Sequence, residues 1–424
     1  MNQKLFDYIA ACPTSFHAVA HTASLLRKAG YEELFEGAEW SLSAGGNYFT
    51  TRNGSSLIAF RIPKNDYDGF LIATAHTDTP AFRIKENSIL VTPEYLRLST
   101  EKYGGMIFST WLDRPLSVAG RVTVRTEKGL KTRLVDFEDP IAIIPNVAIH
   151  QNREINNGYP YNPAVDLLPL VGTSATDLDL HELAADKLNV SKNDLYSTEL
   201  FLYNPARGVC MGDLISAPRL DDLQCAFAAT QAFLMSDGGT SLPILALFDN
   251  EEVGSVTKQG AMSTFLYDVL MRIQPDAITY RRKLTSSFLI SCDNAHALHS
   301  NHPEYADKNQ TALLNHGIVI KHNANQKYTT DAISAGIFKM LCEKANVPVQ
   351  HFANRADLAG GSTLGNLATT QVSVNAIDIG LPQLAMHSSY ETAGAKDTEY
   401  LVHALQYIFS CKLRALPNGE WEIE

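Results

Sequence analysis

Three short apolar runs, each ending abruptly in acid or histidine, constrain this chain more than any other feature. They are Gly69-Phe70-Leu71-Ile72-Ala73-Thr74-Ala75 before His76-Thr77-Asp78, Leu242 to Phe248 before Asp249-Asn250-Glu251-Glu252, and Ser287 to Cys292 before Asp293. Runs of six or seven residues with no charged side chain and at most two hydroxyl residues read as strands covered on both faces. Strands of that kind belong to open α/β sheets, where functional groups gather outside the carboxyl ends of the strands. The chain must therefore build a sheet with imidazoles and carboxylates crowded along one edge.

The texture of the remaining sequence suggests how that sheet is interrupted. Residues 3–30 read as two helices split at Cys12-Pro13-Thr14, and residues 47–62 alternate like strands. From about 81 to 211 the pattern changes to short strands, such as Gly120 to Arg125 and Ile141 to Pro145, with a helix-like acidic stretch near 179–189. After Pro218 the α/β pattern resumes: Leu223, Phe227 and Leu234 approximate one helical face, 372–379 reads as a strand, and 331–345 and 396–411 read as helical. The expectation is one discontinuous α/β domain, residues 1–80 and 212–424, interrupted by a β-rich module at 81–211.

Composition narrows the function. The 424 residues carry a net charge of −11 with no long basic run, which disfavours nucleic acid as a partner. Cys12, Cys210, Cys225, Cys292, Cys342 and Cys411 are scattered with no C-x-x-C pair, so neither a disulfide framework nor a thiolate zinc site is expected. Any metal must be held by histidines and carboxylates. Met1 to Ala11 lacks the apolar stretch of a signal peptide, and no window approaches a membrane span, so a cytoplasmic location is expected.

Five segments carry the candidate chemistry. His76 follows a strand, with Asp78 placed to orient its ring. Asp221, in Pro218-Arg219-Leu220-Asp221-Asp222, opens a helix, where an aspartate is ordinarily a cap. Glu251 and Glu252 are adjacent and point in different directions, so one can bind metal while the other serves as general base to a bound water. Asp293 ends a strand, with His296 and His299 open as ligands, supporting groups or surface residues. His387 lies in Gln383 to Glu391, and alone it would prove nothing. Together, two histidines and three carboxylates with one carboxylate spare suit two zinc ions bridged by an aspartate.

At these positions the chain resembles the aspartyl aminopeptidase family of dinuclear zinc metallopeptidases. The resemblance rests on His-Thr-Asp at 76–78, Pro-Arg-Leu-Asp at 218–221, Asp-Asn-Glu-Glu-Val-Gly-Ser at 249–255 and Ala-Met-His-Ser at 385–388. Ser15 to Val19, Ile149-His150 and Val319-Ile320-Lys321 support it. It implies that His76 and Asp293 hold one zinc, Glu252 and His387 the other, and Asp221 bridges them, with cobalt or manganese as substitute metals. Glu251 is then the general base and Asp78 orients His76. Lys321 and Tyr328 would line the pocket for an acidic first side chain of a peptide substrate, and His150 would reach a neighbouring subunit's site. The implied fold is a zinc-peptidase domain with a mixed sheet flanked by helices, interrupted by a β-rich dimerisation domain and assembled into a homo-oligomer, a dodecamer. Two departures stand out: Asp222, where asparagine is the pattern in animal members, and the loop Asn354-Arg355-Ala356-Asp357. The rival readings are a dinuclear zinc deacylase or carboxypeptidase, and an inactive assembly protein on a peptidase scaffold.

Overall fold

The computed structural model describes residues 1–424. Its central element is a nine-stranded mixed sheet. In spatial order the strands are Glu32–Glu33, Asn47–Arg52, Ser56–Arg61, Leu242–Phe248, Phe70–His76, Phe288–Cys292, Asn375–Gly380, Ile318–His322 and Val349–Ala353. The four strands from Leu242–Phe248 to Asn375–Gly380 run parallel, so their carboxyl ends share one edge. Antiparallel pairing on either side of them makes the sheet mixed.

Both faces of the sheet are covered, as the unbroken apolar runs require. On one side Leu245 and Leu247 pack with Ala228, Phe338 and Leu405 from the helices Leu220–Met235, Ala332–Lys344 and Asp397–Ile408. On the other, Ile244 and Phe248 pack with Phe265, Val269 and Tyr280 from Phe265–Ile273 and Ala277–Thr285. Alternate side chains of a single strand thus enter two cores, and every residue of Leu242–Phe248 is buried.

The middle of the chain forms a separate six-stranded antiparallel sheet built from Ala81–Val91, Tyr95–Tyr103, Ser117–Thr126, Gly129–Asp136, Leu170–Thr173 and Leu195–Tyr203. It has its own core around Phe82, Trp111, Leu116 and Leu200, closed by the helix Leu180–Leu188. The expected architecture, a helix-flanked mixed sheet and a separate β-rich unit, is what the chain adopts.

Two local expectations need correction. Ile141 to Pro145 is not a strand: only the isolated bridges Leu116–Ala142 and Ile143–Leu170 form, because Pro145 cannot donate and the segment turns away. The strand expected at 372–379 runs Asn375–Gly380. Val209–Met211 pairs with Leu214–Ala217 in a five-stranded sheet that also contains Glu391–Gly394.

Candidate metal centre

The parallel strands deliver the site. His76 is the last residue of Phe70–His76 and sits beside Phe248 in register. Just beyond Phe248 the chain turns through Asn250, at φ 63°, into a single 3-10 turn, Glu251–Val253. Asp293 follows Phe288–Cys292 directly. Asp221 enters from the start of Leu220–Met235, but not as a cap: its dihedrals are non-helical, the peptide to Asp222 is cis, and no side-chain cap bond forms there. His387 lies in a tight loop at φ 67°.

Asp221 is the meeting point. One of its oxygens lies 3.5 Å from His76 Nε2 and the other 3.4 Å from His387 Nε2. Glu252 Oε2 is 3.4 Å from the same His387 nitrogen, and Asp293 Oδ1 is 3.9 Å from His76 Nε2. Ligating atoms therefore converge in three overlapping groups: His76, Asp221, Asp222 and Asp293; Asp221, Glu252 and His387; and His76, Glu251 and Glu252. These separations are too long for good hydrogen bonds, which lie near ~2.9 Å. The three at 3.4–3.5 Å are close to the spacing of about 3.3 Å between ligands of one tetrahedral zinc with bonds of about 2.0–2.1 Å, and the fourth is wider.

Known proteins resemble this chain along nearly its whole length. The model of the aminopeptidase I zinc metalloprotease (M18) family matches residues 8–409. This chain belongs to the M18 family. The probable M18 family aminopeptidase 2 of Clostridium novyi (strain NT) is 44% identical over 413 residues, covering 94% of this chain and 95% of the relative. That of Pseudomonas aeruginosa (strain UCBPP-PA14) is 42% identical over 416 residues, covering 96% and 97%. Among solved structures, Ape4 in its complex with Nbr1 superposes with a TM-score of 0.93 at 35% identity, covering 96% of this chain and 85% of that one. The S. cerevesiae mApe1 dodecamer superposes at 0.84 with 28% identity, covering 96% and 95%. The protein is thus a zinc metallopeptidase with aminopeptidase activity. Its chain contains no helix long and apolar enough to cross a membrane.

The residues of this M18 aminopeptidase fit metal on independent physical grounds. Asp221 Oδ1, Asp222 Oδ1 and Glu252 Oε1 are buried without a hydrogen-bond partner, a costly state that a cation would relieve. Protonation is pushed up on imidazole and carboxylate alike. Burial works against a charged His387, yet Asp221 and Glu252 raise it to about 10. Burial pushes Glu251 up to about 8, with His76 opposing and Asp293, Asp78 and Asp221 adding to the rise. Asp221 is the exception: burial pushes it up, but the His387 and His76 imidazoles hold its carboxyl well below the usual carboxylate range. The raised groups around it mark a centre short of positive charge, and metal ions displace such protons on binding.

The remaining expected residues divide clearly. Glu251 lies near His76 and Glu252 but outside both groups that share Asp221. Lys321 is buried, its ammonium 3.4 Å from Asp293 and 5.5 Å from the ring centre of buried Tyr328. Burial opposes its charge, but Asp293 and other acids keep it firmly protonated. His296 and His299 line a cavity of about 290 Å³ together with Asn354 and Arg355, and neither joins a ligand group. Arg355 in the departing loop is tied to Asp357 at 2.6 Å. His150 is exposed in a turn and takes no part in the hydrogen bonds or ion pairs of its own chain's centre.

Asp78 does more than expected. His76 Nδ1 is closer to the Asp78 backbone carbonyl, 3.0 Å, than to its carboxylate, 3.5 Å. The carboxylate instead accepts the backbone N–H groups of Glu251 and Glu252, each at 3.1 Å. Sequence reasoning also missed Glu391, which accepts the N–H groups of His387 at 2.7 Å and Asp221 at 3.0 Å. Its place four residues after His387 was visible. That it spans two distant segments was not.

Proposed function

We propose that this aminopeptidase binds two zinc ions through His76, Asp221, Asp293, Glu252 and His387, and removes acidic residues from peptide N-termini with Glu251 as general base. The observation that carries the reading is Asp221, whose two carboxylate oxygens each face a different imidazole, as a bridging ligand must. Bound there, the ions supply Lewis-acid polarisation of the scissile carbonyl and acidify a water. Glu251, left free of the Asp221-centred groups, takes a proton from the attacking water and passes it to the leaving nitrogen. The cluster of acids receives the substrate's free N-terminal amine, which makes the enzyme an exopeptidase.

In this reading the protein works as a homo-oligomer, a dodecamer built from dimers that form through the β-rich module. His150, exposed and remote in its own chain, then completes a neighbour's site. The likeness to the mApe1 dodecamer supports the twelve-subunit assembly.

The test pairs metal analysis with substrate choice. The wild type should hold two zinc ions per chain and release the first residue of a free peptide while leaving its N-acetylated form intact. Asp221→Ala should lose both ions and all activity. Preferential cleavage of the acetylated peptide would instead make the protein a deacylase, and two ions retained by Asp221→Ala would break the bridging model.

A further inference from the structure

The carboxylate of Asp78 is held from two parts of the fold at once. From the catalytic loop come the N–H groups of Glu251, onto Oδ1, and Glu252, onto Oδ2. From the β-rich module comes the hydroxyl of Tyr103, which donates to Oδ2 at 2.7 Å. Tyr103 ends the strand Tyr95–Tyr103, and its ring meets Phe201 of the same sheet edge-on at 5.6 Å. Its oxygen also accepts from Asn250 Nδ2 at 2.8 Å, and Asn250 in turn accepts from Gln259 and Thr257.

The chain after Tyr103 stays against the centre. Gly104, at φ +75°, approaches so closely that a Cβ there would lie 3.1 Å from Cβ of Glu252. Ile107 donates its N–H to the carbonyl of His387 at 3.0 Å, and Ser389 N–H reaches Thr110 Oγ1 at 2.9 Å. One stretch of the β-rich module thus touches the segments bearing Glu251, Glu252 and His387. Because the backbone carbonyl of Asp78 already serves His76, its side chain is available for a different task.

We propose that Tyr103 is a positioning residue for the general base: through Asp78 it fixes the backbone of Glu251 and Glu252, and so couples the seating of the β-rich module to turnover. This rests on Glu251 being the base. A hydroxyl bonded to a carboxylate sets that carboxylate's direction, and the other side-chain donor near it, His76 Nδ1, is 3.5 Å from Oδ1 and closer to the backbone carbonyl. Rotation of the carboxylate would release one or both N–H groups of the 3-10 turn, moving Glu251 while the ligands from other segments stay in place. The effect would fall on turnover, not on substrate affinity.

The experiment is a double-mutant cycle on the full-length, zinc-loaded protein, with Tyr103→Phe, Asp78→Asn and the pair, read as zinc content, KM and kcat. Phenylalanine keeps the ring against Phe201, so folding is preserved. Tyr103→Phe should retain its zinc and hold KM within about twofold, while kcat falls about ten- to a hundredfold, the range for a lost hydrogen bond to a charged group. The pair should be no slower than Asp78→Asn alone, because both changes remove one connection. Unchanged kcat in Tyr103→Phe, or losses that multiply in the pair, overturns the inference. Glu251→Gln run alongside separates the two ideas: if it keeps full turnover, the base assignment fails, whereas a dead Glu251→Gln beside a normal Tyr103→Phe sinks only the role of Tyr103.

Discussion

The two large sheets of this aminopeptidase differ in what their strands leave uncovered. Phe70–His76 and Leu242–Phe248 are buried at every position, so polar groups are expelled to the strand ends and concentrated there. In the β-rich module the pattern is looser: Gly129–Asp136 begins with four exposed residues, and Ala81–Val91 is open over much of its length. There polar residues occur along the strands wherever solvent reaches. A sheet covered on both faces separates chemistry from packing, whereas a sheet covered on one face mixes them. The catalytic groups should accordingly reside in the first sheet, with the second contributing through its edges and loops.

The largest expected effect tests the first half of that contrast. Glu251→Gln should keep both metals and lower turnover by about two to four orders of magnitude, because the amide cannot accept the water's proton. Its neighbour should behave differently, since Glu252 is 3.4 Å from His387 and has a partnerless buried oxygen. Glu252→Gln is expected to lose metal. Zinc content measured on both variants decides the matter, and equal loss would mean that the two adjacent acids do not divide their roles.

Legibility in the sequence follows the same division. The strand ends bearing His76, Glu251, Glu252 and Asp293 could be read directly, because a doubly covered strand that stops at an acid or histidine sets that group at the sheet's edge. Asp221 was harder, since a helix-start aspartate is normally a cap, and only its approach to both imidazoles within 3.5 Å sets it apart. Tyr103 and Glu391 had no local signal. A tyrosine at a strand end and a glutamate entering a strand are ordinary, and their partners lie 25 and 170 residues away. The strand expected at Ile141 to Pro145 failed for a related reason: apolar content without neighbours able to complete a ladder yields only isolated bridges.

The next effect tests the second half of the contrast. His150 belongs to the β-rich module, is exposed in a turn and joins none of the ligand groups of its own chain, so the catalytic part proposed for it lies in another subunit's site. His150→Ala should lower turnover about a hundredfold, the loss typical of one oxyanion donor. Mixing it with Glu251→Gln under subunit exchange should restore activity, because some sites then pair an intact Glu251 with a neighbour's intact His150. If exchange is verified and activity stays absent, the β-rich module reaches the chemistry only within its own chain.

The smallest expected effect concerns selectivity, and it asks whether the first sheet also chooses the substrate. Lys321 lies on Ile318–His322, in register with Phe352, and its ammonium points toward Asp293 at 3.4 Å with the ring of Tyr328 on another side. Asp293 is the sole carboxylate within ion-pair distance, and it is also a proposed metal ligand. Once metal draws charge from Asp293, the ammonium retains donors for a substrate carboxylate. Lys321→Leu removes that charge but also disturbs Asp293, so a fall in overall rate would be uninformative. The ratio of kcat/KM for peptides beginning with aspartate to those beginning with leucine is free of this defect, because damage at the metal affects both substrates alike. That ratio should drop about tenfold or more, the scale of one charged hydrogen bond. If it is unchanged while overall activity falls, Lys321 serves the metal ligand, and the preference for acidic residues must come from elsewhere, with the cavity lined by His296, His299 and Arg355 the next place to test.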